Sequence, residues 1–403
     1  MSRKSVLGAW CAGHGACEIT ARRTAAAAGL QRSFTSTAQR NANITKFTPT
    51  DSPALDELLD NIRTKIILPA HLPAAQRKKM YSPKYQKTLQ SDPIIMEIDG
   101  EILKFRHLNR LAGDVPPTQP SVLEAVSKFN TKKDFANFLP LLEGVQGTKN
   151  FDSNFYCKVI RLLGEKDRIQ TMIECARRVK TTGFRLNQSE KVVKMLFYIQ
   201  MKAIKSNWDL GETRQALRWA EMVLEMLQEE EHQVPEKRSG EPVEGQLPLF
   251  RDPLVLLAPL HLAATLAKHE EAKDEVRDKI AKYAKAVTIP WPEQKGLKQV
   301  QPKDLYKYRR SMYYLKEPNT FVTLATPLLY GLERAVEVAD PEQAAKLDAR
   351  RKILAAEVQE AREAHRAQLA EKIEAARAKG EEWPNKSPRS EAIYQQLFGE
   401  APV

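Results

Sequence analysis

Two apolar stripes at helical spacing organise residues 154–187. Phe155, Tyr156, Val159, Ile160 and Leu163 recur every three or four positions up to Gly164. Ile169, Met172, Ile173, Ala176 and Val179 then do so up to Gly183. The pattern predicts two helices joined by a polar turn. One such hairpin buries little apolar surface, so it needs neighbours of its own kind. Shifting residues 120–153 by 34 positions supplies one. Val122 falls on Tyr156, Val126 on Ile160, Phe129 on Leu163, Phe135 on Ile169, Phe138 on Met172, Leu139 on Ile173 and Val145 on Val179.

Downstream, Val192, Val193, Met195, Leu196, Ile199 and Ile204 predict the first helix of a third, longer pair. Ala216, Leu217, Trp219, Ala220, Val223, Leu224 and Leu227 predict its second, after a turn at Asn207, Trp208, Asp209 and Gly211. A polar loop at 229–250 precedes a fourth pair within 252–287, where Pro259 should kink the first helix before Pro290-Trp291-Pro292 closes the unit. Residues 340–380 are alanine-rich, charged and free of breakers before Gly380, which predicts one long helix. Its Leu347–Leu354 register fades through Ala361 to Gln368. That favours a protruding helix docked on a partner over a coiled-coil dimer. Asp99-Gly100 between two alternating apolar runs predicts a small β-hairpin.

The fold class is therefore all-α: an array of helical hairpins over 119–292, preceded by a basic extension at 41–118 that holds the β-hairpin. A basic, tyrosine-rich helical segment at 293–339 follows, then a long charged helix and tail at 340–403. An apolar fraction of 42% excludes wholesale disorder in this 403-residue chain, while a net charge of +12 favours a polyanionic partner. Residues 1–40 hold six Lys or Arg and a single acid, Glu18, among Ala, Ser and Thr, and read as a mitochondrial transit peptide cut near Phe34 and Thr35. A basic disordered tail is the alternative. Loss of these residues leaves +7, so the surplus survives import to the matrix.

No apolar run reaches spanning length, because 255–267 is too short and contains Pro259 and His261, and no integral membrane insertion is expected. No homo-oligomer is expected either. Cys157 and Cys175 fall on the facing helices of the 154–187 hairpin as core thiols, and the four cysteines show neither metal spacing nor a disulfide framework. Gly-rich phosphate loops and nucleophile elbows are absent from the sequence and the histidines are dispersed, so no enzyme, catalytic residue, cofactor or metal is expected.

Two stretches suit RNA. Arg77, Lys78, Lys79, Lys84 and Lys87 interleave with Tyr81 and Tyr85, so the cations could follow a phosphate backbone while the rings stack on bases. Lys303, Lys307, Arg309 and Arg310 lie among Tyr306, Tyr308, Tyr313 and Tyr314 in a segment, 295–316, that holds seven Lys or Arg against Asp304 alone. Each has a bland alternative: a solvated linker for the first, and tyrosines packed on the array for the second.

The 154–187 hairpin resembles a pentatricopeptide repeat. Tyr156 stands at the early aromatic position, Leu163-Gly164 ends the first helix, Arg168 lies in the turn, Val179-Lys180 ends the second helix, and Gly183 and Asn187 form the exit. The resemblance implies a short right-handed array whose inner helices contact single-stranded RNA, with a base read by the fifth and last residues of each unit. Here those positions are Lys158 and Asn187. The family favours a small polar residue at the fifth position, so Lys158 departs from it, and Glu124 one unit earlier departs further. Lys158 then reads as a phosphate contact or as scaffold surface.

Transit peptide, degenerate repeats, basic extensions and long charged helix together resemble the accessory class of fungal-type mitochondrial ribosomal proteins. That resemblance implies a structural constituent of the mitochondrial ribosome, with rRNA and neighbouring ribosomal proteins as partners. The alternative is a free pentatricopeptide factor acting on mitochondrial mRNA in processing, stability or translational activation.

Overall fold

The computed structural model describes residues 44–98, 100–148, 151–233, 244–306, 312–381 and 387–399. The proposed transit peptide, residues 234–243 of the polar loop, Asp99 of the predicted hairpin turn, and Lys307, Tyr308, Arg309 and Arg310 lie outside them. Among the described residues the strands are β1 (Ile94–Ile98) and β2 (Glu101–Phe105), antiparallel, with Ile94 opposite Phe105 and Ile98 opposite Glu101. Gly100, at φ +77°, supplies the left-handed residue of the predicted turn. All other regular structure is helical.

The chain opens with α1 (Pro53–Ile62), which runs through a π-helical turn at Arg63–Ile67 into Leu68–His71. Its Leu55, Leu59, Ile62 and Ile67 are buried against the first hairpin. Next comes α2 (Ala74–Tyr81), helical where the composition suggests an irregular extension. It is held because Met80, wholly buried, shares a second small core with Ile44, Leu68, Leu72, Leu103 and Phe105.

The helical hairpins follow in order. The first joins α3 (Thr118–Lys128) to α4 (Phe138–Gln146) through the short helix Lys132–Ala136, whose Thr131 and Asp134 form a capping box. The second is α5 (Ser153–Glu165) and α6 (Ile169–Arg177), with Asp152 accepting from the Phe155 N–H at 2.9 Å to start it. The third is α7 (Ser189–Lys205) and α8 (Leu210–Met226), and its turn places both Asn207 and Trp208 at positive φ. The fourth is α9 (Pro253–Leu266), unbroken through Pro259, and α10 (Lys273–Thr288).

A fifth hairpin continues the stack: α11 (Pro318–Val338) and α12 (Pro341–Ala378). Here the structure corrects the expectation of a long helix docked on another molecule. Leu347, Leu354, Val358 and Ala361 are buried against α11, because α11 carries its own apolar stripe of Phe321, Val322, Ala325, Leu328 and Leu332. Beyond Arg366 the helix is largely exposed.

The helices α3, α5, α7, α9 and α11 pack successively as one layer, and their partners form the other. Between layers and hairpins the contacts are specific. Lys166, at the end of α5, donates to the carbonyls of Ser127 (2.6 Å) and Phe129 at the end of α3. Glu221 of α8 pairs with Lys279 (2.8 Å) and accepts from the Tyr283 hydroxyl (3.1 Å) of α10. The Trp208 ring stacks on Tyr330 at 5.4 Å.

The last helix, α13 (Arg389–Phe398), lies against α11 and α12 and reaches back to the second and third hairpins. Arg362 of α12 sits 3.5 Å from the Tyr394 ring centre and pairs with Glu391 at 3.2 Å. Arg389 donates to the Tyr198 hydroxyl at 3.1 Å and lies 3.7 Å from Glu165.

Candidate nucleic-acid interface

The N-terminal basic candidates come together on one surface. Met80 fixes the arrangement: its carbonyl accepts from the Leu108 N–H at 3.2 Å and from His107 Nδ1 at 2.8 Å, which folds the chain after β2 back over α2. This return carries Arg110 onto the Tyr81 ring, with its guanidinium carbon 3.7 Å from the ring centre. Arg77, Lys78, Tyr81, Ser82 and Arg110 then line one shallow cleft. Lys79 and Lys84 flank the half-buried Tyr85 at 5.9 and 6.0 Å, and Lys87 is exposed on the turn of helix that follows.

Charge reinforces the grouping. Residues 61–91 contain seven Lys or Arg and no Asp or Glu. Arg63 is drawn inward to Glu101 at 2.8 Å, while Arg77 makes one long hydrogen bond, 3.4 Å, to the Ala70 carbonyl. Lys78 and Lys79 also suit the negative end of α2, so helix stability and anion attraction act in the same direction there.

The second stretch is divided. Lys303 and Tyr313 are exposed, Tyr313 by 53%, while Lys307, Arg309 and Arg310 lie outside the described residues. Tyr306 is half-buried, and its hydroxyl donates to the Lys298 carbonyl at 2.6 Å. Burial, and then the carboxylates of Asp252 and Glu357, push this phenol up to about 12. Its neighbour Tyr314 is fully buried and hydrogen-bonded to Ser189. The segment is tied down further by Glu357, which accepts from the Leu297 N–H at 2.7 Å, and by Gln301, which donates to buried Asp252 at 2.7 Å.

The two repeat positions stand apart from both stretches. Lys158 is exposed on α5, in line with Asn154, Arg161 and Glu165. Asn187 is half-buried, and its Oδ1 accepts from the ammonium of Lys191, a buried lysine that also lies 5.8 Å from the Tyr156 ring centre. Sequence reading misses Arg110 and Ser82. Nothing periodic marks Arg110, since only the pairing of residues 107–108 with Met80 brings it to α2; the signal for Ser82 was its place between Tyr81 and Lys84.

Among the described residues no group of three or more His, Cys, Asp or Glu is placed to hold a metal ion, and no helix is long and apolar enough to cross a membrane. Cys157 and Cys175 are free and buried, and burial raises the Cys175 thiol far above its ordinary value.

Comparison with known proteins gives the family. The family described as mitochondrial ribosomal protein mS27 matches over residues 32–385. The small ribosomal subunit protein mS27 of Neurospora crassa is 30% identical over 335 residues, covering 80% of this chain and 84% of the relative. A match spanning most of the chain has a plain consequence: the chain belongs to the mitochondrial ribosomal protein mS27 family.

Proposed function

We propose that the chain is a structural constituent of the small subunit of the mitochondrial ribosome, working in the matrix, where it docks on rRNA and on neighbouring proteins. Residues 1–40 act as its transit peptide. The observation that carries the docking mode is the acid-free run at 61–91, folded so that Lys78, Lys79, Lys84 and Lys87 are exposed on one region while α1 anchors that region to the first hairpin. Lys303 and Tyr313 give a second contact region. The hairpins are the scaffold that holds both and offers its remaining faces to proteins.

The hairpins have pentatricopeptide-like character in this reading. The 34-residue register supports it: all seven superposed pairs are buried at both members except Leu139, which is half-buried against the same core. Lys158 serves there as a phosphate contact, not a base reader, because Asn187 is engaged by Lys191 within its own chain.

Sedimentation of mitochondrial lysate tests the proposal. The chain should co-migrate with the small subunit at moderate salt and remain with it at high salt. A chain that never co-migrates, and that crosslinks instead to a few messenger sites, supports the free-factor alternative.

A further inference from the structure

Arg110 is exposed, and its guanidinium carbon lies 3.7 Å from the centre of the Tyr81 ring, a stacking distance at which the ring restrains the fork that carries the N–H donors. The loop that carries it is ordered by its own hydrogen bonds: Asn109 Oδ1 accepts from the N–H groups of Leu111 (3.0 Å) and Ala112 (3.2 Å). Asp114 Oδ2 accepts from the Asn109 N–H at 2.8 Å, and the Asp114 N–H donates back to the Asn109 carbonyl at 3.1 Å. Asp114, the nearest acid along the chain, is thus turned to the backbone. Among the described residues no carboxylate lies within ion-pair distance of Arg77, Lys78 or Arg110.

We propose that Arg77, Lys78, Ser82 and Arg110 form a phosphodiester-binding cleft for the RNA backbone, in which Tyr81 pre-orients the Arg110 fork. The proposal rests on the ribosomal reading for its partner. Three cations and a hydroxyl line one shallow cleft, and Lys79, Lys84 and Lys87 of the same acid-free segment are exposed, the first two beside Tyr85. A single carboxylate would neutralise one of these charges. A chain with one negative charge on every nucleotide engages them in succession, and the planar fork matches two oxygens of one phosphate. An acidic protein segment is the competing occupant. It carries charge without the regular spacing and has less call on a planar fork.

The test uses the full chain and a fluorescent 20-nucleotide oligouridylate, with binding followed by anisotropy across a range of salt. The triple variant R77Q/K78Q/R110Q should bind at least ten-fold more weakly at 100 mM salt. Its slope of log affinity against log salt should be lower by about 2, as expected for three lost phosphate contacts. The exposed-lysine control Lys132→Gln should change neither. Arg110→Lys keeps the charge but loses the planar fork and most of the stacking, and should lose most of what Arg110→Gln loses. Tyr81→Leu should weaken binding in the same direction, and where its melting temperature falls, Arg110→Lys carries the test of orientation alone.

Three results overturn the proposal: a triple variant with unchanged affinity and slope, an Arg110→Lys variant equal to wild type, or displacement of the RNA by a polyglutamate peptide at equal charge concentration. Gradient sedimentation of the wild-type chain from mitochondria separates this failure from that of the ribosomal reading. A wild-type chain on the small subunit whose RNA affinity ignores the cleft sinks the cleft alone; a wild-type chain absent from the subunit sinks both.

Discussion

Gly164 of α5 lies directly under the ring of Tyr198 on α7. A Cβ built there would sit 2.2 Å from the ring's Cγ and 2.4 and 2.5 Å from its two Cδ atoms. The clash falls on the root of the ring, which cannot swing aside as a flexible side-chain end would. Gly164→Ala should therefore destabilise the chain by about 1–3 kcal/mol, even though alanine is the better helix former by about 1 kcal/mol. Urea unfolding checks the sign. The substitution should also loosen Arg389, whose partner is that same Tyr198 hydroxyl.

Acidification should weaken the fold through two buried histidines. Gln200 Nε2 donates to the Leu196 carbonyl, so its Oε1 accepts from His261 Nδ1 at 2.8 Å, and His261 Nε2 has no partner among the described residues. Burial, with a smaller contribution from Arg334, drives His261 down to about 3. His232 Nδ1 accepts from the Leu186 N–H at 2.9 Å, and burial drives that ring down to about 4. In both, the folded value lies below the unfolded one near 6.5. The unfolded chain therefore binds the extra proton first, and stability falls as pH drops below about 6.5, until the folded values are reached. Between pH 7 and pH 5 each histidine should cost roughly 2 kcal/mol. Melting temperatures at the two pH values, compared between wild type and His261→Gln, measure it, and the variant's pH slope should be the shallower.

Arg350 of α12 should be the costliest single side chain to remove from the C-terminal hairpin. It donates to the carbonyls of Trp291 (2.7 Å), Thr288 (3.0 Å) and Lys346 (2.6 Å), satisfying the end of α10 and the turn after it. Arg350→Met fills similar space but leaves buried carbonyls unpaired, and should destabilise by about 2–4 kcal/mol. Limited proteolysis should then open the chain first near 289–296.

Lys158→Ala separates scaffold from contact. The side chain is exposed, so stability should move by less than about 0.5 kcal/mol. As a single phosphate contact it should lower the salt slope of RNA binding by about 0.7, and an unchanged slope would leave Lys158 as scaffold surface.

Periodicity made the four predicted hairpins legible, because their stripes were spaced as helices need and their turns were polar. The fifth was less legible. Phe321, Val322, Ala325, Leu328 and Leu332 keep helical spacing as well, but the stripe alone does not say that its complement is the face of α12 that carries Leu347 and Leu354. The seam of α12 was legible as Leu347, Leu354 and Ala361, and its partner was not, since a helix face does not state whether its complement lies in the same chain. For the interface, the basic cluster at 77–87 could be read directly. Arg110 could not, because a hairpin and two hydrogen bonds to Met80 bring it there across thirty residues of sequence.

The contacts of α13 bear on when the chain becomes finished. Open arrays of hairpins can settle progressively from one end, each unit needing only the one before it. Here Arg389 closes on Glu165 and Tyr198, more than 190 residues upstream, while Glu391 and Tyr394 close on Arg362. The second and third hairpins keep an uncovered patch until α13 has docked. Docking of α13, not the formation of each hairpin, is the event that seals the scaffold.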